Sequence, residues 1–131
     1  MQWLRYRQRM AKNSTRRSAL ADAGIAVLAR EGSRGLTHRA VDEEAGVPTG
    51  TTSNYFRSRD ALVAGLFERI GARLAPTPDD LERRAAQKPD RALFADYLRD
   101  IVRRLSADAD VTRALFELRL ESGRRPELAA V

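Results

Sequence analysis

Few side chains in this 131-residue chain are of types that do covalent chemistry, and their spacing does not bring them together. The sequence holds one histidine, His38, and no cysteine. Thiolate nucleophiles, disulfides and thiolate metal sites are therefore excluded. A lone imidazole at a helix start, with no second ligand at metal-binding spacing, reads as a structural or solvated group. The acidic pairs Glu43-Glu44 and Asp79-Asp80 read as helix-start charges rather than as an acid–base pair. No glycine-rich phosphate loop, serine-nucleophile motif or metal-ligand spacing occurs. The expectation is a chain with no enzymatic activity, no cofactor and no metal.

The residues that stand out do non-covalent chemistry. Thr49-Gly50-Thr51-Thr52-Ser53-Asn54 is small and polar, and its hydroxyl and amide groups suit close approach to phosphates and base edges. Tyr55-Phe56 follows at once, a pair able to pack one ring inward and aim the other at a phosphate backbone. Arg59 stands at the start of the next helix, where free backbone amides already favour a phosphate. Charge is placed to match. Residues 1–75 hold 13 Lys/Arg against 7 Asp/Glu, whereas residues 76–131 hold 11 of each, so the whole net charge of +6 lies in the first 75 residues. Six cations and no acid fall within Met1 to Arg17. This asymmetry argues for a polyanionic partner. Charge alone leaves DNA, RNA, an anionic membrane surface and a merely solvated basic tail all open.

The elements that must position these residues are helical, since apolar spacing follows a period near 3.6 and strand-like alternation is never sustained. Residues 1–12 read as a basic leader without defined structure. The alternative is an arm, with Trp3 and Tyr6 among its arginines, that becomes ordered on nucleic acid; Met10 is an alternative start. Asn13-Ser14-Thr15 offers caps for a first helix with Leu20, Ala23, Gly24, Val27 and Leu28 inward, ended by Gly32. Thr37 caps a second helix over His38 to Ala45, Gly46-Val47-Pro48 breaks the chain, and Pro48-Thr49 caps a short third helix to Tyr55. Ser58 caps a fourth, running to about Ala75 on Leu62, Leu66, Ile70 and Leu74. Two short helices around a glycine turn make a helix-turn-helix, and the second, too short to be stable alone, must be held by its neighbours.

Pro76-Thr77-Pro78 reads as a linker, because two prolines so close cannot both sit inside a helix. The expected division is therefore 1–12, 13–75 and 76–131. Past it, Asp79-Asp80 starts a short helix interrupted near Pro89. Asp90 caps a stronger helix with Leu93, Phe94, Tyr97, Leu98, Ile101, Val102 and Leu105 inward. Another runs from about Asp110 to Ser122, and Pro126 suits the first turn of a last one. The fold class expected is all-α: a three-helix helix-turn-helix domain followed by an incomplete second helical domain. No apolar run approaches the ~20 residues that span a bilayer, and no secretory signal is evident. A cytoplasmic protein without membrane contact is expected.

The run Leu36-Thr37-His38-Arg39-Ala40-Val41, then Ala45-Gly46-Val47-Pro48-Thr49-Gly50-Thr51, then Asn54-Tyr55-Phe56-Arg57-Ser58-Arg59-Asp60-Ala61-Leu62 resembles the signature of the TetR family of transcriptional regulators. The likeness extends from about Thr15 to Leu74. It implies that Arg39 reaches a guanine edge or a phosphate, and that Thr49, Gly50, Thr51, Ser53 and Asn54 face the major groove. Tyr55 and Arg59 would clamp phosphates, and Thr37 would cap its helix and touch the backbone. Two positions depart from the family pattern: Ser53 stands where a tyrosine is common, and Thr52 where a leucine is common. The second departure is expected to loosen the packing of the reading helix.

For the second half the resemblance implies a small-molecule inducer pocket between helices, with Phe94, Tyr97, Leu98, Ile101, Phe116 and Arg119 as its candidate lining. The overall expectation is a ligand-responsive repressor that binds double-stranded DNA as a homodimer on a palindromic operator. The alternative is a helical interaction module that binds a protein or an anionic surface through its basic N-terminal region.

Overall fold

The computed structural model describes residues 1–124, and among them every regular element is a helix. The helix expected from Pro126 lies outside the described residues. The order is α1 (Gln2–Gly35), α2 (His38–Ala45), α3 (Thr51–Tyr55), α4 (Arg59–Leu74), α5 (Pro78–Ala85), α6 (Arg91–Ala107) and α7 (Ala109–Arg124). No helix among the described residues is long and apolar enough to cross a membrane.

Local chemistry sets most boundaries. The Thr37 hydroxyl accepts the Ala40 amide at 3.0 Å, Ser58 accepts Ala61 at 3.0 Å and Asp90 accepts Leu93 at 3.0 Å. These are the N-caps that start α2, α4 and α6. Thr77 and Asp80 form a reciprocal capping box at α5, with Pro78 in the first turn. The linker expected at Pro76-Thr77-Pro78 is thus a single bend between helices.

The first helix differs from expectation at its start. It begins at Gln2 with Met1 as N-cap and passes through Asn13-Ser14-Thr15 without interruption. There the Thr15 hydroxyl donates back to the Ala11 carbonyl at 3.0 Å. Nine of residues 2–12 are arginine, glutamine, leucine, methionine, alanine or lysine, all strong helix formers, so nothing breaks the helix before the caps are reached. Gly32 does adopt a left-handed φ of 74°, and one further turn follows the kink to Gly35.

One core joins the two halves. Leu20, Ile25, Val27 and Leu28 of α1 pack with Val41, Phe56 and the Leu62, Val63, Leu66, Ile70 face of α4, and Val111, Ala114 and Leu118 of α7 complete the same cluster. Of the face expected to point inward on α6, only Leu93 and Leu105 are half-buried. Phe94, Tyr97, Leu98, Ile101 and Val102 are all exposed, by 38–66%. α6 instead buries an ion pair against α5, in which Arg84 meets Asp100 at 2.5 Å, with Arg104 on the same carboxylate at 2.5 Å.

Candidate nucleic-acid interface

The helix-turn-helix comprises α2, the turn through Gly46 and α3. α2 ends on Gly46, whose φ of 66° and ψ of 34° are left-handed, and the Val47 amide donates to the Asp42 carbonyl at 3.0 Å. α3 has five residues and no cap of its own, since its N-cap is Gly50 at φ 94°. The cap expected from Pro48-Thr49 is replaced by a residue eight positions upstream. Asp42 is 2% exposed, and its carboxylate accepts the Gly50 amide at 2.8 Å, the Thr52 amide at 2.7 Å and the Thr52 hydroxyl at 2.5 Å. Burial pushes the Asp42 carboxyl up, but the three donations outweigh it and hold the group below its ordinary value.

Thr52 therefore does not loosen α3. It is fully buried, and its hydroxyl is consumed by Asp42, so a polar contact supplies the hold that was expected to be missing. The far end of α3 is held as firmly. His38 donates from Nε2 to the Phe56 carbonyl at 2.7 Å. Arg17 donates to the Tyr55 carbonyl at 3.1 Å, and its guanidinium lies 4.4 Å over the Phe56 ring. A cation at a helix C-terminus is favourable. Phe56 itself is 1% exposed and fits only because α4 has no side chain at Gly65, where a Cβ would come within 2.2 Å of the ring.

With both ends held, α2 and α3 present a polar surface. Thr37, Arg39, Thr49, Ser53 and Asn54 are exposed, and Gly50, Thr51 and Tyr55 are half-buried. Arg39 has one partner, Glu43 at 3.2 Å, in an exposed pair that costs little to exchange. The Thr51 hydroxyl donates to the Pro48 carbonyl at 2.6 Å and keeps its acceptor lone pairs.

Arg59 is used differently from expectation. Its guanidinium turns inward and donates to the Leu36 carbonyl, to the Ser33 carbonyl at 2.9 Å and to Glu121 at 3.4 Å, while Ser33 donates to Glu121 at 2.5 Å. Glu121 is 9% exposed. The start of α4 is thereby tied to the end of α1 and to α7, and the guanidinium has few donors left for a phosphate. Arg57, two residues before it, is exposed. Asp42, Arg17 and Glu121 went unnoticed in the sequence. The single available signal was an acid at an apolar position of α2.

The residues expected to line a pocket are not gathered. Phe94, Leu98 and Phe116 face solvent, and Tyr97 stacks under the Arg84 guanidinium at 4.5 Å. Arg119 borders an open cavity between α4 and α7, with Phe67, Ile70, Leu74 and Leu115. Ile101 lines a separate one, with Leu74, Arg104 and Leu105. Among the described residues no cluster of metal-ligating side chains occurs.

Comparison with known proteins gives matches to both halves. Residues 20–66 match the family model described as bacterial regulatory proteins, tetR family. Residues 89–131 match that described as tetracyclin repressor-like, C-terminal domain. A solved structure described as the crystal structure of multidrug binding protein EbrR complexed with imidazole is 30% identical, with a TM-score of 0.70 over 88% of this chain. The chain spans 63% of the length of that protein. No curated protein sequence matches.

Proposed function

The chain belongs to the TetR family of bacterial regulators, and on that premise we propose that it is a DNA-binding transcription regulator, a repressor released by a small molecule. The observation that carries this reading is a five-residue helix held at both ends by buried or stacked side chains while Thr49, Ser53, Asn54 and the nearby Arg39 stay exposed. A surface rigid in its backbone and polar in its side chains suits reading base edges in a major groove. As a dimer the protein inserts two copies of α3 into successive major grooves ~34–36 Å apart on a palindromic operator. Arg39 and the α3 side chains read bases, and Thr37 and Tyr55 touch the phosphate backbone.

The helical second half takes the inducer. α4 is the transmitter, because its first turn is tied to α7 through Arg59 and Glu121 and its last turns border the cavities at Leu74. Any ligand that prefers a different α7 position must weaken operator binding, and operator must weaken ligand binding by the same factor. The test is selection of bound sequences from a random duplex library, followed by titration of the enriched duplex against a scrambled one. A palindromic consensus lost in Arg39→Ala supports the reading. Equal, salt-sensitive binding to every duplex overturns it in favour of a non-specific interaction module.

A further inference from the structure

We infer that the first four turns of α1 form a second DNA-contacting element, a row of cations that follows the phosphate backbone beside α3. This rests on the DNA-binding reading above and adds a surface that the helix-turn-helix does not contain. The core begins at Leu20, yet the helix starts at Gln2, and Gln2 to Arg17 are all exposed. Within this extension Arg5, Arg9, Lys12 and Arg16 recur at steps of four, three and four, which places them on one face of the helix. They span roughly 16 Å at the usual rise per residue. No acid occurs before Asp22, and among the described residues none of the four cations is in an ion pair. Like charges four apart on a solvated helix repel, and a parallel polyanion relieves that repulsion by releasing its own counterions.

Position identifies the polyanion. Arg17, at the root of the extension, reaches the Tyr55 carbonyl at 3.1 Å and stacks on Phe56. The extension therefore leaves the body at the C-terminal end of the reading helix, beside the edge assigned to phosphate contact, with the row about a quarter turn around the helix from Arg17. An anionic lipid surface is the competing partner, because Trp3, Tyr6 and Met10 are exposed on another face. Those apolar residues stop at Met10, however, while the cations continue to Arg16, next to the Arg17 that touches Tyr55 and Phe56, so the continuous feature is the charged one.

The test uses the full chain with Arg5, Arg9, Lys12 and Arg16 all changed to Gln, and in parallel a chain starting at Met10. Binding to the library-selected duplex and to a scrambled duplex of equal length is titrated from 50 to 300 mM KCl. The slope of log K against log salt becomes shallower by about 3 to 4 per chain in the quadruple variant, at about 0.9 per phosphate contact. For the Met10 start, which loses three arginines, the change is about 2 to 3. Both duplexes lose affinity alike, their ratio is unchanged, and the melting temperature stays at the parent value because the four residues lie outside the core. An unchanged slope overturns the proposal, as does a loss confined to vesicles of phosphatidylglycerol and phosphatidylcholine. Absence of any preferred duplex for the parent chain instead overturns the DNA-reading proposal itself, so the two failures are distinguishable.

Discussion

Replacing Asp42 by alanine tests how the reading helix is held. The carboxylate accepts three hydrogen bonds, from the Gly50 amide, the Thr52 amide and the Thr52 hydroxyl. Bonds to a charged acceptor contribute about 1.5–3 kcal/mol each, and their loss strands buried donors. The three share one acceptor and are not additive, so Asp42→Ala costs about 3–4 kcal/mol, near the range for breaking a buried charged contact. For a chain of this size that lowers Tm by roughly 10–15 °C. It leaves the protein folded at 20 °C if stability is typical. Two readouts separate the consequences. Urea unfolding at pH 7 gives the stability loss, and titration of the selected duplex at 20 °C and fixed salt gives a loss of at least about tenfold (1.4 kcal/mol) as α3 loses its anchor. The companion variant Asp42→Ala with Thr52→Leu removes both partners and restores apolar packing, which recovers most of the stability. A single-variant loss below about 1 kcal/mol, or a double variant that is merely additive, would refute the account of Asp42 as the anchor.

Three further outcomes follow from the same contacts. Acid unfolding tracks Asp42 and Asp100, both held below the ordinary carboxylate value: Asp42 by its three donors against burial, Asp100 first by Arg84. Their stabilisation is complete above the unfolded pKa of about 3.9 and is lost as pH falls through the lower folded values. Thermal melts from pH 7 to 2.5 show a decline beginning near pH 4, and Asp42→Asn removes part of it. Gly65→Ala drives a Cβ into the Phe56 ring and costs about 1–3 kcal/mol by overpacking, with a matching drop in operator affinity; an unshifted urea midpoint contradicts the packing described. Glu121→Ala removes the acceptor shared by Ser33 and Arg59 and lowers stability by about 1–2 kcal/mol. Hydrogen exchange localises the new mobility to α7 and the first turn of α4, and unchanged protection there counts against the tie between the halves.

Legibility divides by sequence distance. Thr37, Ser58 and Asp90 each bond an amide three residues on, and these local contacts made α2, α4 and α6 readable to within a residue or so. The exposed polar face of α3 was readable because helix, turn and composition agree over a dozen adjacent residues. Asp42 was not readable, since an acid on α2 says nothing of which amides will stand opposite it. Arg59 was misjudged for a similar reason: a helix-start arginine suits a phosphate as well as it suits the Leu36 and Ser33 carbonyls, 23 and 26 residues upstream. The α6 stripe has the right period for burial, but which face a helix turns inward depends on its neighbours. Here the residue of α6 that is fully buried is Asp100, paired with Arg84 of α5.

By itself, then, the sequence determined an all-helical chain, its caps and breaks, the concentration of positive charge in its first half, and the polar helix offered to a partner. All of these arise from interactions within a few residues or from composition. The tertiary structure decided that Asp42 and Arg17 hold that helix at its two ends, that Arg59 binds inward to Glu121, and that α7 shares a core with α1 and α4. Each depends on bringing together groups that lie eight to roughly ninety residues apart in the chain. The free energy that selects among such partners comes from burying them together, a quantity that no local window contains.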